Sequence, residues 1–329
     1  MKLLILSNNP DRASFRQRIA VYIDALRANG VDCEVAKLPP GLLSRRKLFM
    51  QAENFDGVFL HKKTLNPFDA CYLKKYAKKI IYDLDDAVMY DDKYPEKPHH
   101  KRRAAFRRTV LLADLVIAGN VYLADHARKF NPNVEVLPTG LNTGAFKLPS
   151  KPHDDGNIRL VWIGSRPTLP HLVQIAPALE EVGSRFGNVV LRIISDRFFD
   201  LQKIRVEKYP WSLETETADL ASCDIGLAPL ADNPFTRGKC SFKILQYFAA
   251  GLPTVASPVG VNAVLVRDGF NGYLAVSPAD WVQKVSALVK DKSLRIRMGQ
   301  SALKSVPPFD LNIIAPRLVE LVKIILADV

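Results

Sequence analysis

The sequence predicts an α/β protein of two domains, each an alternating series of strands and helices, and three observations carry that expectation. Its 329 residues are too many for one ordinary domain and suit two of about 150 each. Short β-rich runs alternate with helical patterns through both halves, as parallel sheets with crossover helices require. Residues 149–157 (PSKPHDDGN) are polar and contain proline and glycine, so they suit a linker between the two series.

In the first half, residues 3–6, 32–35, 57–60, 80–83, 114–118 and 134–137 read as strands. Helical stretches cover 15–29, closed by Gly30 at the C-cap, and 121–130. Beyond the linker, strands are expected at 159–163, 189–195, 225–228, 254–256 and 272–275. The tail, 311–327, repeats apolar residues at helical spacing through Ile314, Leu318, Leu321, Ile324 and Ile325. Pro316 predicts that this helix starts near it. The expected domains are 1–150 and 151–308, with a C-terminal helix, 309–329, that either finishes the second domain or packs back on the first. No internal repeat of fixed short period is present.

Composition narrows the function classes. With 48% hydrophobic residues each half can bury a core, yet the longest apolar runs, such as 110–113 and 324–327, fall far short of the ~20 residues that span a bilayer. Residues 3–6 are too short for a secretory leader and no small-residue cleavage site follows, so a cytoplasmic protein is expected. Cys33, Cys71, Cys223 and Cys240 form no C-x-x-C pair, and the histidines add no ligand spacing, so neither disulfides nor a metal is expected. The net charge of +12 is uneven. Residues 1–150 hold 25 Lys and Arg against 16 Asp and Glu, a net of +9, which leaves +3 for the rest. A basic first half could attract nucleic acid, anionic lipid or a phosphorylated substrate.

The richest segment is RGKCSFKILQYFAAGLPTVASPVG, residues 237–260. Its residues 241–250 read as a helix ended by Gly251 and Pro253, so Arg237, Lys239 and Lys243 fall at or just before its first turn. Cations there are repelled by the helix dipole unless an anion is present. Exposed backbone N–H groups with two or three cations make a pyrophosphate site, the bland alternative being solvated lysines. Arg16 and Arg18 open the helix after the first strand and its loop SNNPDRAS, either facing a ligand or lining a polar helix face. That loop has no G-x-G-x-x-G, which disfavours a nicotinamide or flavin dinucleotide. Gly164, in WIGSRPT, lets backbone approach a ligand, and Thr168 suits a cap for the next helix. Asp83, Asp85 and Asp86 crowd a strand end, which invites a divalent cation, acid/base work or simple capping. Two basic amphipathic stretches, His99 to Arg108 and Arg45-Arg46-Lys47 between Leu43 and Phe49, suit an anionic membrane surface or a solvated face.

Across nearly its whole length the chain resembles glycosyltransferase family 4, of the GT-B fold. The strongest part is DIGLAPL, then the segment above, then DGFNGYLA. Ala250-Gly251-Leu252-Pro253-Thr254-Val255-Ala256-Ser257 and Gly269-Phe270-Asn271-Gly272 match the family's small-Gly-x-Pro-Val-Val-Ala-Ser and Gly-x-Asn-Gly. The family's two glutamates, eight positions apart, fall here on Gly238 and Gln246, and its Lys-Gly after the Gly164 strand is replaced by Arg166-Pro167-Thr168. The chain is similar to a subgroup with GKxxFKxLQY in place of the two-glutamate motif.

The resemblance implies two Rossmann-like domains facing an interdomain cleft, and a retaining, metal-independent hexosyl transfer that needs no cofactor. A nucleotide-sugar donor would meet Gly164, Ser165, Arg166, Thr168, Gly238, Lys239, Cys240, Ser241, Lys243 and Gln246, with Gln246 on a ribose hydroxyl and Trp211 and Glu214 beside the base. Asp85, Asp86, Arg237 and Lys243 are the expected catalytic residues, and Arg16, Arg18, Asp83 and Asn120 the acceptor side. Fixed positive charge at Arg166, Arg237, Lys239 and Lys243 would ease departure of the nucleoside diphosphate. The acceptor would be a glycan or lipid-linked glycan in cell-envelope polysaccharide or lipopolysaccharide synthesis, at the inner membrane face. Two other readings stay open: an inactive nucleotide-sugar-binding protein, motivated by the missing glutamates, and a nucleic-acid binder, for which no aromatic-rich basic groove is evident.

Overall fold

The computed structural model describes residues 1–146 and 155–327, so most of the expected linker lies outside the described residues. In chain order the elements are β1 (Lys2–Ser7), α1 (Ala13–Phe15), a π-helical turn (Arg16–Ala20), α2 (Val21–Ala28), β2 (Asp32–Lys37), α3 (Leu42–Met50), β3 (Gly57–His61), α4 (Pro67–Tyr76), β4 (Ile80–Leu84), α5 (His100–Leu112), β5 (Leu115–Ala118), α6 (Val121–Arg128) and β6 (Val134–Val136). They continue with β7 (Ile158–Ile163), α7 (Leu169–Gln174), α8 (Ala176–Arg185), β8 (Val189–Ser195), β9 (Arg205–Pro210), α9 (Glu216–Ala221), β10 (Ile225–Ala228), α10 (Phe242–Ala249), β11 (Thr254–Ala256), α11 (Asn262–Leu265), β12 (Gly272–Leu274), α12 (Pro278–Lys290), α13 (Lys292–Ser305) and α14 (Leu311–Ala327).

The chain forms two compact units. One comprises Met1–Gly140, Asn233–Cys240 and Phe309–Val329, the other Leu141–Asp232 and Ser241–Pro308. A single cut near residue 150 therefore misses Asn233–Cys240, which returns to the first unit.

The first unit is a six-stranded parallel sheet in the order β2-β1-β3-β4-β5-β6. Its inner strands β1, β3, β4 and β5 are short, mainly apolar runs because both faces are covered, as parallel sheets demand. The edge strands β2 and β6 are more polar. On one face Leu4, Leu6, Leu60 and Tyr82 pack with Phe49, Leu73 and Phe106 from helices. On the other, Leu3, Ile5, Phe59 and Ile81 pack with Tyr22, Leu26 and the α14 residues Ile314, Leu318 and Val322. The α14 helix begins at Leu311, so Pro316 lies inside it rather than at its start. That proline forfeits one backbone hydrogen bond, which the buried face of α14 outweighs. The expected helix at 15–29 runs without a break from Ala13 to Ala28, with a π-helical stretch at Arg16–Ala20 that carries the buried Arg18.

The second unit is again six parallel strands, ordered β12-β11-β10-β7-β8-β9. Its core gathers Trp162, Leu191, Ile193, Leu227 and Val255 with Leu179 and Trp281. The order reverses between β7 and β10, the switch point where open α/β sheets bind ligands. Strand β9 has no counterpart in the sequence expectation. Its residues RVEKYP form a charged, half-exposed edge, and an edge strand carries little apolar signal.

Helix α10 ends on Gly251 at φ +73°, where Gly251 N–H donates to Phe248 and Leu252 N–H to Tyr247, a left-handed cap that favours glycine. Gly299 of α13 packs against that cap, and a Cβ there would land on the Gly251 carbonyl oxygen. Gly299→Ala gains at most ~1 kcal/mol of helix propensity against ~1–3 kcal/mol of overpacking on rigid backbone. The second unit of that variant should unfold at a lower temperature than wild type in a calorimetric scan.

Candidate functional site

In a parallel sheet the carboxyl ends of all strands share one edge. In the first unit that edge aligns Ser7, His61 and Asp83 in register on neighbouring strands β1, β3 and β4. All three are buried. Arg18, delivered by the π turn, binds Asp83 through Nε at 3.0 Å and Nη2 at 2.8 Å, and donates through Nη1 to the Leu137 carbonyl at 2.6 Å. His61 Nδ1 meets the other Asp83 oxygen at 3.0 Å. Burial by itself would raise the Asp83 carboxyl, but Arg18 and His61 overcome it and hold the group below the usual carboxylate range. Arg18 and Asp83, expected to face an acceptor, are instead sealed against each other.

The chain leaves β3 through Lys62, one of only two described non-glycine residues with positive φ (+61°). A lysine held left-handed costs about 1–2 kcal/mol. The turn brings its Nζ to Asp85 at 3.2 Å and onto Asp86. Lys239, from the returning segment, takes the second Asp86 oxygen at 2.8 Å. Burial opposes ionisation of Asp86, yet Lys239 and Lys62 lower its pKa to about 2. The three acids are thus neutralised by Arg18, Lys62 and Lys239, and no cluster that could hold a metal ion is found among the described residues.

The remaining first-unit residues pin the segment that carries Lys239. Asn120 caps α6, accepting from Leu123 N–H at 3.0 Å, and its Nδ2 donates to the Gly238 carbonyl at 2.9 Å. Expected on the acceptor side, Asn120 is buried in this tie. Gly238 has no room for a side chain, since a Cβ would come within 2.7 Å of Ala87 Cβ, so a glutamate is sterically excluded there. Cys240 Sγ donates to the Asp85 carbonyl at 3.3 Å, and burial pushes its thiol up to about 12. Arg237 is exposed, while Arg16 is half-buried and donates to the Asp11 carbonyl at 2.5 Å.

The second unit places its expected residues at the ends of β7 and α10. Ser165 and Arg166 are exposed, and Arg166 N–H donates to Asp196 at 2.7 Å. Thr168 does not cap α7 with its side chain; its hydroxyl turns back to the Ser165 carbonyl at 3.0 Å. At Gly164 a Cβ would come within 2.5 Å of the Trp162 indole, whose face also receives the Lys243 ammonium, 4.5 Å from the ring centre. Ser241, the other positive-φ residue (+54°), precedes α10 without capping it. Its hydroxyl donates instead to Asn262 Oδ1 at 2.6 Å. The start of α10 therefore has no side-chain cap and no acid in its first turn, and Lys243 lies within that turn. Such a helix start suits an anion. Sequence reasoning missed His61, Lys62 and Glu216, whose partners Asp83, Asp86 and Gln246 lie 22, 24 and 30 residues away in the chain.

The two basic stretches are largely tied down. Arg45 pairs with Asp69 at 3.0 Å, Arg102 with Asp91 at 3.1 Å, and Arg108 donates to the Leu65 carbonyl at 2.9 Å. Leu43, on α3, remains 73% exposed. No described helix is long and apolar enough to cross a membrane.

Residues 145–291 match the family model described as glycosyl transferases group 1. No curated protein matches the chain. Among solved structures, HepE from Anabaena, in complex with UDP and glucose, is 17% identical, with TM-score 0.73 over 98% of this chain and 99% of that one. Sucrose-phosphate synthase from Thermosynechococcus elongatus is 13% identical, with TM-score 0.77 over 100% of both. WaaG, a glycosyltransferase involved in lipopolysaccharide biosynthesis, is 13% identical, with TM-score 0.68 over 98% of this chain and 99% of that one. Two six-stranded parallel sheets with flanking helices are the architecture of GT-B glycosyltransferase structures, and this chain has that fold.

Because the Asp86 pKa is lowered on folding, its ion pairs stabilise the protein above the unfolded value near 4, and that stability is lost as pH falls toward 2. Asp86→Asn should cost on the order of 2 kcal/mol at pH 7, with the gap to wild type closing below pH 4. Urea unfolding midpoints across that range measure it.

Proposed function

We propose that the chain is a retaining, metal-independent glycosyltransferase that uses a nucleotide-sugar donor. The observation that carries this reading is the start of α10: a strained Ser241 diverted to Asn262, no side-chain cap, and Lys243 in the first turn. It lies inside the stretch similar to group 1 glycosyl transferases, and the HepE structures with UDP, and with UDP-glucose, motivate the donor class.

In this reading the diphosphate rests on the α10 N–H groups and Lys243, near Gly164, Ser165 and the exposed Arg166. The bond from the anomeric carbon to the phosphate oxygen breaks, and the oxygen leaves with both electrons. The acceptor hydroxyl bonds to the same face of that carbon and gives its proton to the departing phosphate. Preorganised charge at the developing anion contributes several kcal/mol, ~3–4 kcal/mol for one good donor. Asp86, with a pKa of about 2, is a weak base, so it and Asp85 serve to hold Lys62 and Lys239 rather than to move protons. The acceptor is a glycan or lipid-linked glycan of the cell envelope. The first unit binds it at the cytoplasmic membrane face, where α3 presents Leu43 beside basic residues. Glycine and glutamine at positions 238 and 246, where the family carries glutamates, favour a second reading, an inactive nucleotide-sugar binder.

A panel of UDP, GDP and ADP should raise the unfolding temperature with one base preferred, since a ligand bound only by the folded state stabilises by mass action. Lys243→Ala should weaken that nucleotide ~10–100-fold, the worth of a charge-assisted contact, by calorimetric titration. Sugar transfer or donor hydrolysis should persist in excess EDTA. No turnover of any sugar nucleotide, with binding intact, would select the inactive binder.

A further inference from the structure

The loop that leaves β4 after Asp86 carries an exposed tyrosine with two lysines over its ring. Tyr94 is 49% exposed, and the ammoniums of Lys93 and Lys97 lie 5.2 Å and 4.7 Å from its ring centre. Nearer the base of the loop, the Arg103 guanidinium of α5 lies 5.5 Å from the centre of the Tyr90 ring. None of these three cations is in an ion pair among the described residues.

The base of the loop is anchored. Met89 is buried, the Tyr90 hydroxyl meets His126 Nε2 at 3.2 Å, and Asp91 pairs with Arg102 of α5 at 3.1 Å. Asp91 Oδ1 also accepts the N–H groups of Lys93 and Tyr94, at 2.9 Å and 3.1 Å, and Lys97 N–H donates to the Tyr94 carbonyl at 3.1 Å. Asp91 is thus committed to backbone and Arg102. The other two acids of the loop, Asp92 and Glu96, are exposed and pair with neither lysine.

Two ammoniums over one ring lie within ~10 Å of each other, about one Debye length at 0.1 M salt, so they repel when no anion is near. The ring attracts each of them and limits the wandering of two long side chains. An anionic group between them reverses the repulsion and leaves both ring contacts in place. Lysine meets carboxylate and phosphate alike, because its ammonium is a point charge without a planar match to satisfy. Loops leaving the carboxyl ends of parallel strands are where open α/β sheets meet ligands.

We propose that Lys93, Tyr94 and Lys97 form an acceptor subsite for an acidic glycan, in which the two ammoniums, held by one ring, grip a carboxylate or phosphate on the sugar chain. This rests on the glycan-acceptor reading above and narrows it to acidic glycans.

Calorimetric titration of the full chain with tetragalacturonate, pentamannose 6-phosphate and neutral mannopentaose tests this. Wild type should bind an acidic glycan ~10-fold or more tighter than the neutral one, and the tighter of the two acidic probes tells carboxylate from phosphate. That preference should shrink toward 1 when salt is raised to about 0.5 M. Lys93→Gln with Lys97→Gln should erase it. Tyr94→Leu, which frees the lysines, should reduce it ~3-fold, whereas Tyr94→Phe keeps the ring and should hold it within ~2-fold of wild type. Lys292→Gln with Lys304→Gln removes the same charge from α13 and should change nothing.

A preference that survives the Lys93 and Lys97 substitutions, or falls equally with those on α13, would mark the general attraction of a basic protein and overturn the assignment. So would equal binding of the neutral glycan, or no glycan binding at all. Binding to phosphatidylglycerol vesicles that is lost in the same Lys93, Tyr94 and Lys97 variants would overturn it in favour of a membrane surface. UDP, GDP and ADP titrated alongside report the donor reading separately, since failure of the glycan subsite leaves nucleotide binding as it was.

Discussion

A parallel sheet has a constraint that an antiparallel one lacks: every strand must be re-entered from the same end, so all carboxyl ends and the loops leaving them gather on one edge. In the first unit this puts Ser7, His61 and Asp83 side by side and sends Lys62, Asp85 and Asp86 out just beyond them. In the second it gathers Gly164, Ser195 and the turn after β10. Polar side chains gather at these edges, although the second sheet also buries Arg159 and Arg192 within its strands, where both pair with Glu207. The local strain follows the same geography, since Lys62 and Ser241 both sit where the chain leaves or enters an element at such an edge.

The two edges solve the problem of charge in opposite ways. The first is self-neutralised: Asp83 with Arg18 and His61, Asp86 with Lys62 and Lys239, each acid already ionised against a fixed cation. Removing one member of the fully buried Arg18–Asp83 pair is expensive, typically about 3–5 kcal/mol, because the survivor keeps its desolvation penalty. The Asp86 pairs, whose lysines are more than a quarter exposed, cost less. The pairs therefore fix loops, above all Asn233–Cys240, which Asn120, Cys240 and Asp86 tie to β4 and α6. At the second edge the α10 start has no side-chain cap and no acid in its first turn, where Lys243 lies. A helix start of that kind favours an anion.

Sequence periodicity made most of the fold legible, for a physical reason. Strands such as β1, β3 and β5 are apolar runs because both faces are buried, and the Gly251 cap follows from a backbone angle few other residues accept. What stayed hidden depends on partners remote in sequence. Strand β9 is polar because it is an edge, the π turn exists because Arg18 reaches a carboxylate 65 residues away, and α14 tolerates Pro316 because its apolar face is covered. In the site, the segment around Lys239 and Lys243 stood out by its motif. For the three clustered acids a cation, acid/base work and capping stayed open because Arg18, Lys62 and Lys239 lie far from them in sequence, and nothing local links Gln246 to Glu216 across 30 positions.

Donor binding as proposed requires the diphosphate to sit at the start of α10. Hydrogen–deuterium exchange of the full chain, with and without the nucleoside diphosphate that binds best, reads this directly at backbone amides. Slowed exchange at residues 242–244, the first turn of α10, together with residues 164–166, is the result the account predicts. Protection confined to other segments, with the α10 start exchanging at its unliganded rate under saturating nucleotide, would contradict it.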